Sequence, residues 1–249
     1  MIEILTLLIL LIPFSIFIFN SIVLRNLISD KSEIPGIVNS ISIGISFIFA
    51  LIVLFNVGDF SSSISFTWIS LNNVDITFSF LVDPLTAIML VVVSGVSFLV
   101  QIYSIGYMHG DKSFCRYFSY MALFTGSMLG LVMSRNILQL FIFWELVGVS
   151  SYLLIGFWHE RKSAAAAAKK AFIMTRLGDF GFLFSIIYLF NVNSDFLEIP
   201  VLYNAILNNE ISTNVATILS LGFLVGAIGK SAQFPLHNWL PDAMEGPTS

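Results

Sequence analysis

The side chains able to do chemistry in this chain are few, and they stand where charge is expensive. Glu145 lies inside an apolar run, Phe141-Ile-Phe-Trp-Glu-Leu-Val-Gly148. Lys230 closes another, in Gly229-Lys-Ser-Ala-Gln-Phe-Pro-Leu-His237. Arg176 and Asp179 stand near the start of a third, three residues apart and so on one helix face. A charge at the middle of a bilayer costs about 2.5–3.5 kcal/mol on insertion scales, so such residues persist where something balances them. A carboxyl and an amine in neighbouring membrane helices form an acid–base pair able to load, pass and release a proton. On this reading Glu145 is the partner of Lys230. Asp179 and Arg176 form either a plain ion pair or a further step of the same path. His237, after the end of its apolar run, is a candidate proton relay.

Other chemistries lack their residues. The three histidines, His109, His159 and His237, have no metal-ligand spacing. The lone Cys115 excludes an internal disulfide, a cysteine-held zinc and an Fe–S cluster carried by this chain alone. There is no Gly-rich dinucleotide loop, P-loop or nucleophile elbow. No cofactor or metal is expected in this chain, and its sequence offers no visible means of moving electrons.

The elements that must position these residues are membrane helices. Of 249 residues 57% are hydrophobic and only 10% are charged, too few for the surface of a soluble domain. A membrane helix needs about 20 mostly apolar residues. Runs of that order lie at Ile4–Leu24, Ile34–Gly58, Pro84–Met108, Tyr117–Ser134, Asn136–Trp158, Ala171–Ser194 and Ile211–Gly229. The fold class expected is therefore an all-α integral membrane protein with about seven spans. The first run is longer than a signal-peptide core and has no basic flank, so it reads as a retained helix. Pro235 cannot continue the last helix, which must break near Lys230. Phe60–Leu81 alternates apolar and polar residues on both sides of Leu71-Asn72-Asn73, the pattern of a surface β-hairpin. Ser163 reads as the cap of an Ala-rich helix start.

Basic residues set the orientation. Arg25 and Lys31, Lys112 and Arg116, and Arg161, Lys162, Lys169 and Lys170 fall in alternate loops, while the intervening loops hold only Arg135. That places the N-terminus outside.

Several stretches resemble one family. They are Asp83-Pro-Leu-Thr86, Tyr103-Ser-Ile-Gly-Tyr-Met108, Phe143-Trp-Glu-Leu-Val-Gly148 and Ser151-Tyr-Leu-Leu-Ile-Gly-Phe-Trp158. Arg176-Leu-Gly-Asp-Phe-Gly181 and the long run from Gly229 to Thr248 complete the set. The chain resembles the chain L (chain 5) subunits of NADH:quinone oxidoreductase, respiratory complex I, within the wider group of antiporter-like subunits. The resemblance implies a transmembrane bundle of two inverted five-helix repeats. It implies proton translocation coupled to quinone reduction in partner subunits, with Glu145 as the buried glutamate, Lys230 as the lysine on the broken helix, and Asp179 as the aspartate of the Gly-Asp pair. NADH, FMN, Fe–S clusters and quinone would belong to other subunits of the complex. The family continues through Pro-Thr-Pro, whereas this chain ends at Ser249. The expectation is therefore an N-terminal piece, with three helices and the hairpin in 1–110 and an incomplete first repeat in 111–249. Lacking the later lysines, it is expected not to carry protons across by itself.

The same residues would serve a cation/proton antiporter of the Mrp type. Sodium prefers several hard oxygen ligands, and no intramembrane cluster of carboxylates offers them. A membrane subunit of an inorganic-carbon uptake complex and a structural scaffold are further alternatives. The expected location is a bacterial inner membrane, with the mitochondrial inner and thylakoid membranes as alternatives.

Overall fold

A computed structural model describes residues 2–27, 32–58, 62–71 and 74–247. Lys31, Asn72, Asn73 and Ser249 lie outside the described residues.

Eight helices of more than one turn and one hairpin follow one another along the described chain. They are α1 (Ile2–Ile18), α2 (Ile34–Asn56), β1 (Ser62–Leu71), β2 (Val74–Val82), α3 (Pro84–Tyr107), α4 (Phe114–Val132), α5 (Ile137–Ile155), α6 (Lys162–Val192), α7 (Ile199–Leu207) and α8 (Thr213–Lys230). A π-helical turn, Phe19–Leu24, carries the first helix on to Leu27. Local chemistry sets several starts. The Asp83 carboxylate accepts from Thr86 N at 2.7 Å, with Pro84 just inside helix α3. Asn136 accepts from Leu138 N at 2.8 Å and opens α5. Asn209, with φ 58°, lies in the turn after α7.

Six of these helices are long and apolar enough to cross a membrane. The expected fourth span is α4, with 19 residues, which carries Arg116, Ser119, Thr125 and Ser127 and is apolar to a lesser degree. It tolerates them because it is enclosed, packing against α1, α2 and α3 with Tyr117, Phe118, Ala122 and Leu129 fully buried. Outward side chains elsewhere are apolar: Phe55 is 82% exposed, Phe180 68% and Leu99 66%, a surface suited to lipid.

The hairpin is present as a two-stranded sheet, as the alternation predicts. The Ala-rich helix start expected at Ser163 is present: α6 begins at Lys162 and runs on into the apolar stretch at Ala171, because the alanines, Lys169 and Lys170 are good helix formers. Ser163 is therefore inside the helix and not its cap; its hydroxyl donates to Glu245 Oε2 at 3.1 Å. Between α6 and α8 the chain adds the short helix α7, started by Pro200 in its first turn.

The chain forms two compact units, one of Met1–Ile64 and Phe80–Met133, the other of Ser65–Ser79 and Ser134–Thr248. Helix α4 thus joins the N-terminal helices, although a division at residue 110 would group it with the later ones. The second unit has its core in Ile137, Phe182, Ile186, Leu189, Phe196, Leu197 and Leu219, with α6 packed against both α5 and α8.

Candidate functional site

Glu145 stands midway along α5, and its carboxylate forms an ion pair with Arg176 of α6. Glu145 is 19% exposed and Arg176 33%. The guanidinium also lies over the Phe172 ring, 4.6 Å from its centroid, one turn earlier on α6. This corrects the expectation that Glu145 pairs with Lys230. Helix α6 packs along both α5 and α8, and it presents Arg176 to Glu145 first.

Asp179 shares the face of Arg176, yet the two form no direct ion pair. Arg176 turns to α5, and Asp179, 4% exposed, accepts a hydrogen bond of 2.6 Å from the indole Nε1 of Trp144. Lys230, the last residue of α8, donates from Nζ to the main-chain carbonyl of the same Trp144 at 3.0 Å. Its ammonium is 5.5 Å from the centroid of the Trp144 ring. Among the described residues no carboxylate lies within ion-pair distance of Nζ, though the charge of Asp179 acts on it at longer range. Two acids and two bases therefore balance, and Trp144 stands among them.

Glycines let the helices close to this degree. A Cβ at Gly178 would come 2.9 Å from Gly229 Cα, and one at Gly229 would come 2.9 Å from Gly178 Cα. The residues next to Asp179 and Lys230 thus touch main chain to main chain, as small residues do in membrane bundles. A Cβ at Gly148 would come 2.8 Å from Lys230 Nζ, so the missing side chain there is the space the ammonium occupies.

The break after Lys230 has a clear cause. Proline at 235 excludes a helical hydrogen bond to the carbonyl of Ser231, and α8 ends at Lys230. Ala232 follows with φ 49°, and the Phe234–Pro235 bond is cis. The freed Gly229 carbonyl accepts the indole N–H of Trp239 at 3.1 Å, and Trp239 is 9% exposed. This satisfies a main-chain group that an apolar surrounding would otherwise strand. His237 is exposed, its ring beside Phe234 at 5.8 Å, and it makes no side-chain hydrogen bond with the cluster. The structure brings together Glu145, Arg176, Asp179 and Lys230 and leaves His237 aside.

Three participants escaped the sequence reading: Trp144, Gly148 and Trp239. Trp144 and Gly148 are four residues apart, hence stacked on one helix face beside Glu145, a spacing that could have pointed to them. A second polar cluster holds Glu198, which accepts from Thr77 at 2.6 Å and pairs with Arg135 Nε at 3.0 Å. It lines a cavity of about 380 Å³ with Ser79, Asn136 and Asp195. No group of three or more His, Cys, Asp or Glu among the described residues could hold a metal ion.

Two family profiles match the chain. The profile described as NADH:quinone oxidoreductase/Mrp antiporter, TM, covers residues 134–249. The one described as NADH-ubiquinone oxidoreductase (complex I), chain 5 N-terminus, covers residues 68–118. The chain belongs to this antiporter-like family. It is 44% identical over 96% of its length to the chloroplastic NAD(P)H-quinone oxidoreductase subunit 5 of Physcomitrium patens, covering 35% of that protein. It is 48% identical over 83% of its length to the chromatophore subunit 5 of Paulinella chromatophora, covering 32%. This antiporter-like chain thus spans about a third of the length of these relatives. Its fold resembles a chain in the Mrp complex of a Dietzia species, with a TM-score of 0.81 at 24% identity, over 97% of this chain and 25% of that one. It is a multi-pass membrane protein.

Proposed function

We propose that this chain carries part of the proton path of a membrane-bound NAD(P)H:quinone oxidoreductase, coupling quinone reduction in partner subunits to proton transport. The observation that carries the reading is the charge-balanced cluster of Glu145 with Arg176 and Asp179 with Trp144 and Lys230. A proton taken up by Glu145 removes the negative charge that holds Arg176. The guanidinium, one turn before Asp179, is then drawn towards that carboxylate and changes the charge it presents to Lys230. Lys230 can lose its proton in response, which arginine does not do. Glu145 and Lys230 are the proton-carrying residues on this reading, and Arg176 and Asp179 transmit charge between them. NADH or another electron donor, FMN, Fe–S clusters and quinone are assigned to the partners, with none bound here. The names of the relatives favour an organellar membrane over the bacterial inner membrane expected from the sequence, and the basic loops favour an external N-terminus.

The test uses the full-length protein in its assembled complex. Glu145→Gln and Lys230→Met are each expected to lower donor-driven vesicle acidification by about a hundredfold, to background, per assembled complex. Lys230→Arg should not restore it. Normal acidification in both Glu145→Gln and Lys230→Met would sink the reading.

The likeness to the Mrp complex fold supports a second reading, a cation/proton antiporter subunit using the same residues. It predicts a sodium-dependent pH change in vesicles with no electron donor present, and absence of that response rejects it.

A further inference from the structure

We infer that one turn of α5, Trp144 to Gly148, is a seat that keeps Lys230 out of a closed ion pair with Asp179, and that Trp144 is the positioning residue for both. The inference rests on the proton-path reading above and deepens it.

Among the described residues Lys230 is held by neutral groups only: the Trp144 carbonyl at 3.0 Å and the face of its ring at 5.5 Å. The carboxylate that acts on it electrostatically, Asp179, has its Oδ1 engaged by the indole N–H of the same residue at 2.6 Å. Hydrogen bonds to a charged acceptor are short and among the strong ones in proteins. The indole therefore gives Asp179 a partner other than the ammonium. The seat exists because residue 148 is glycine, since any Cβ there would lie 2.8 Å from Nζ. The ring is itself fixed, edge-on to Phe182 at 5.4 Å. A lysine locked against a carboxylate stays charged and still. One parked on a carbonyl and a ring face, near a carboxylate held elsewhere, keeps its charge exchangeable. Arg176, the other cation whose charge acts on Asp179, is paired with Glu145 in this arrangement.

The experiment measures donor-driven acidification per assembled complex in the full-length protein. Trp144→Phe keeps a ring and removes the N–H donor. It is expected to lower acidification by about tenfold, the scale of one hydrogen bond to a charged group. In an Asp179→Asn background the same substitution should add less than about twofold, because the indole acts through Asp179. An equal loss in both backgrounds means that the ring serves packing alone, and it overturns the inference, as does normal acidification by Trp144→Phe. Gly148→Ala, which leaves the indole in place, approaches the seat from the other side. It should lower acidification by a similar factor. If Trp144→Phe does not accumulate, Gly148→Ala decides, and normal acidification by it overturns the seat. If Glu145→Gln and Lys230→Met themselves acidify normally, the proton-path reading has failed. If they do not and Trp144→Phe does, only the seat has failed.

Discussion

The two units of this chain each hold a buried polar network, and the networks differ in kind. In the first unit the network is neutral. Asn39 donates to Gln101 Oε1 at 3.0 Å and to the Phe118 carbonyl at 3.1 Å. Gln101 passes on to Ser97 at 3.1 Å, and Ser97 and Thr125 share a bond of 2.6 Å. These bonds tie α2, α3 and α4 together, and none of the groups gains or loses a proton near neutral pH. In the second unit the members are two carboxylates, a guanidinium and an ammonium, with Asp179 held by the Trp144 indole and Lys230 by the Trp144 carbonyl. Asp179 and Lys230 each feel the charge of the other and of Arg176, which itself pairs with Glu145. Neutral amides and hydroxyls fasten helices, while charges with alternative partners can also respond to one another.

That contrast can be broken by substitution. The larger effect on stability is expected in the charged network. Glu145→Ala leaves Arg176 without its counter-charge, and because Arg176 is 33% exposed the penalty falls below that of a fully buried pair, to about 1–3 kcal/mol. Thermal denaturation of the solubilised complex would show it, with Glu145→Gln losing less because the amide still bonds. No loss in Glu145→Gln would mean that the charge of Glu145 adds nothing to stability. A smaller effect is expected in the neutral network. Asn39→Leu removes two interhelical hydrogen bonds and should lower stability by about 1 kcal/mol, in keeping with such bonds inside membranes. Acidification per assembled complex should not change. A loss of acidification like that of Glu145→Gln would erase the distinction between the two networks.

Much of the fold could be read from the chain because lipid imposes a simple demand on length and polarity. The spans around Ile34–Asn56 and Pro84–Tyr107 lie where apolar runs put them, and the break after Lys230 follows from Pro235. The start of α6 could be read to within two residues from the alanine–lysine stretch, which is helical by propensity without being apolar, although the cap assigned to Ser163 is not there. Partner choice in the cluster could not be read. Glu145 and Lys230 are the obvious acid and base, but pairing depends on the helix packed against both of theirs, and Arg176 on that helix reaches Glu145. Trp144 was hidden for another reason. An aromatic residue in an apolar span reads as lipid-facing or core, and only the geometry shows its N–H and its carbonyl serving two different helices.

The glycine contact between α6 and α8 has a mechanical consequence. Membrane helices meet bilayers of different thickness by tilting. A contact between long side chains can yield to tilt through changes of rotamer, whereas Gly178 and Gly229 have no rotamers to change. The separation there is set by atomic radii, so the contact works as a ruler beside Asp179 and Lys230. The distance between spin labels on α6 and α8 is therefore expected to stay constant as lipid chains lengthen, and a widening would show that the ruler slips.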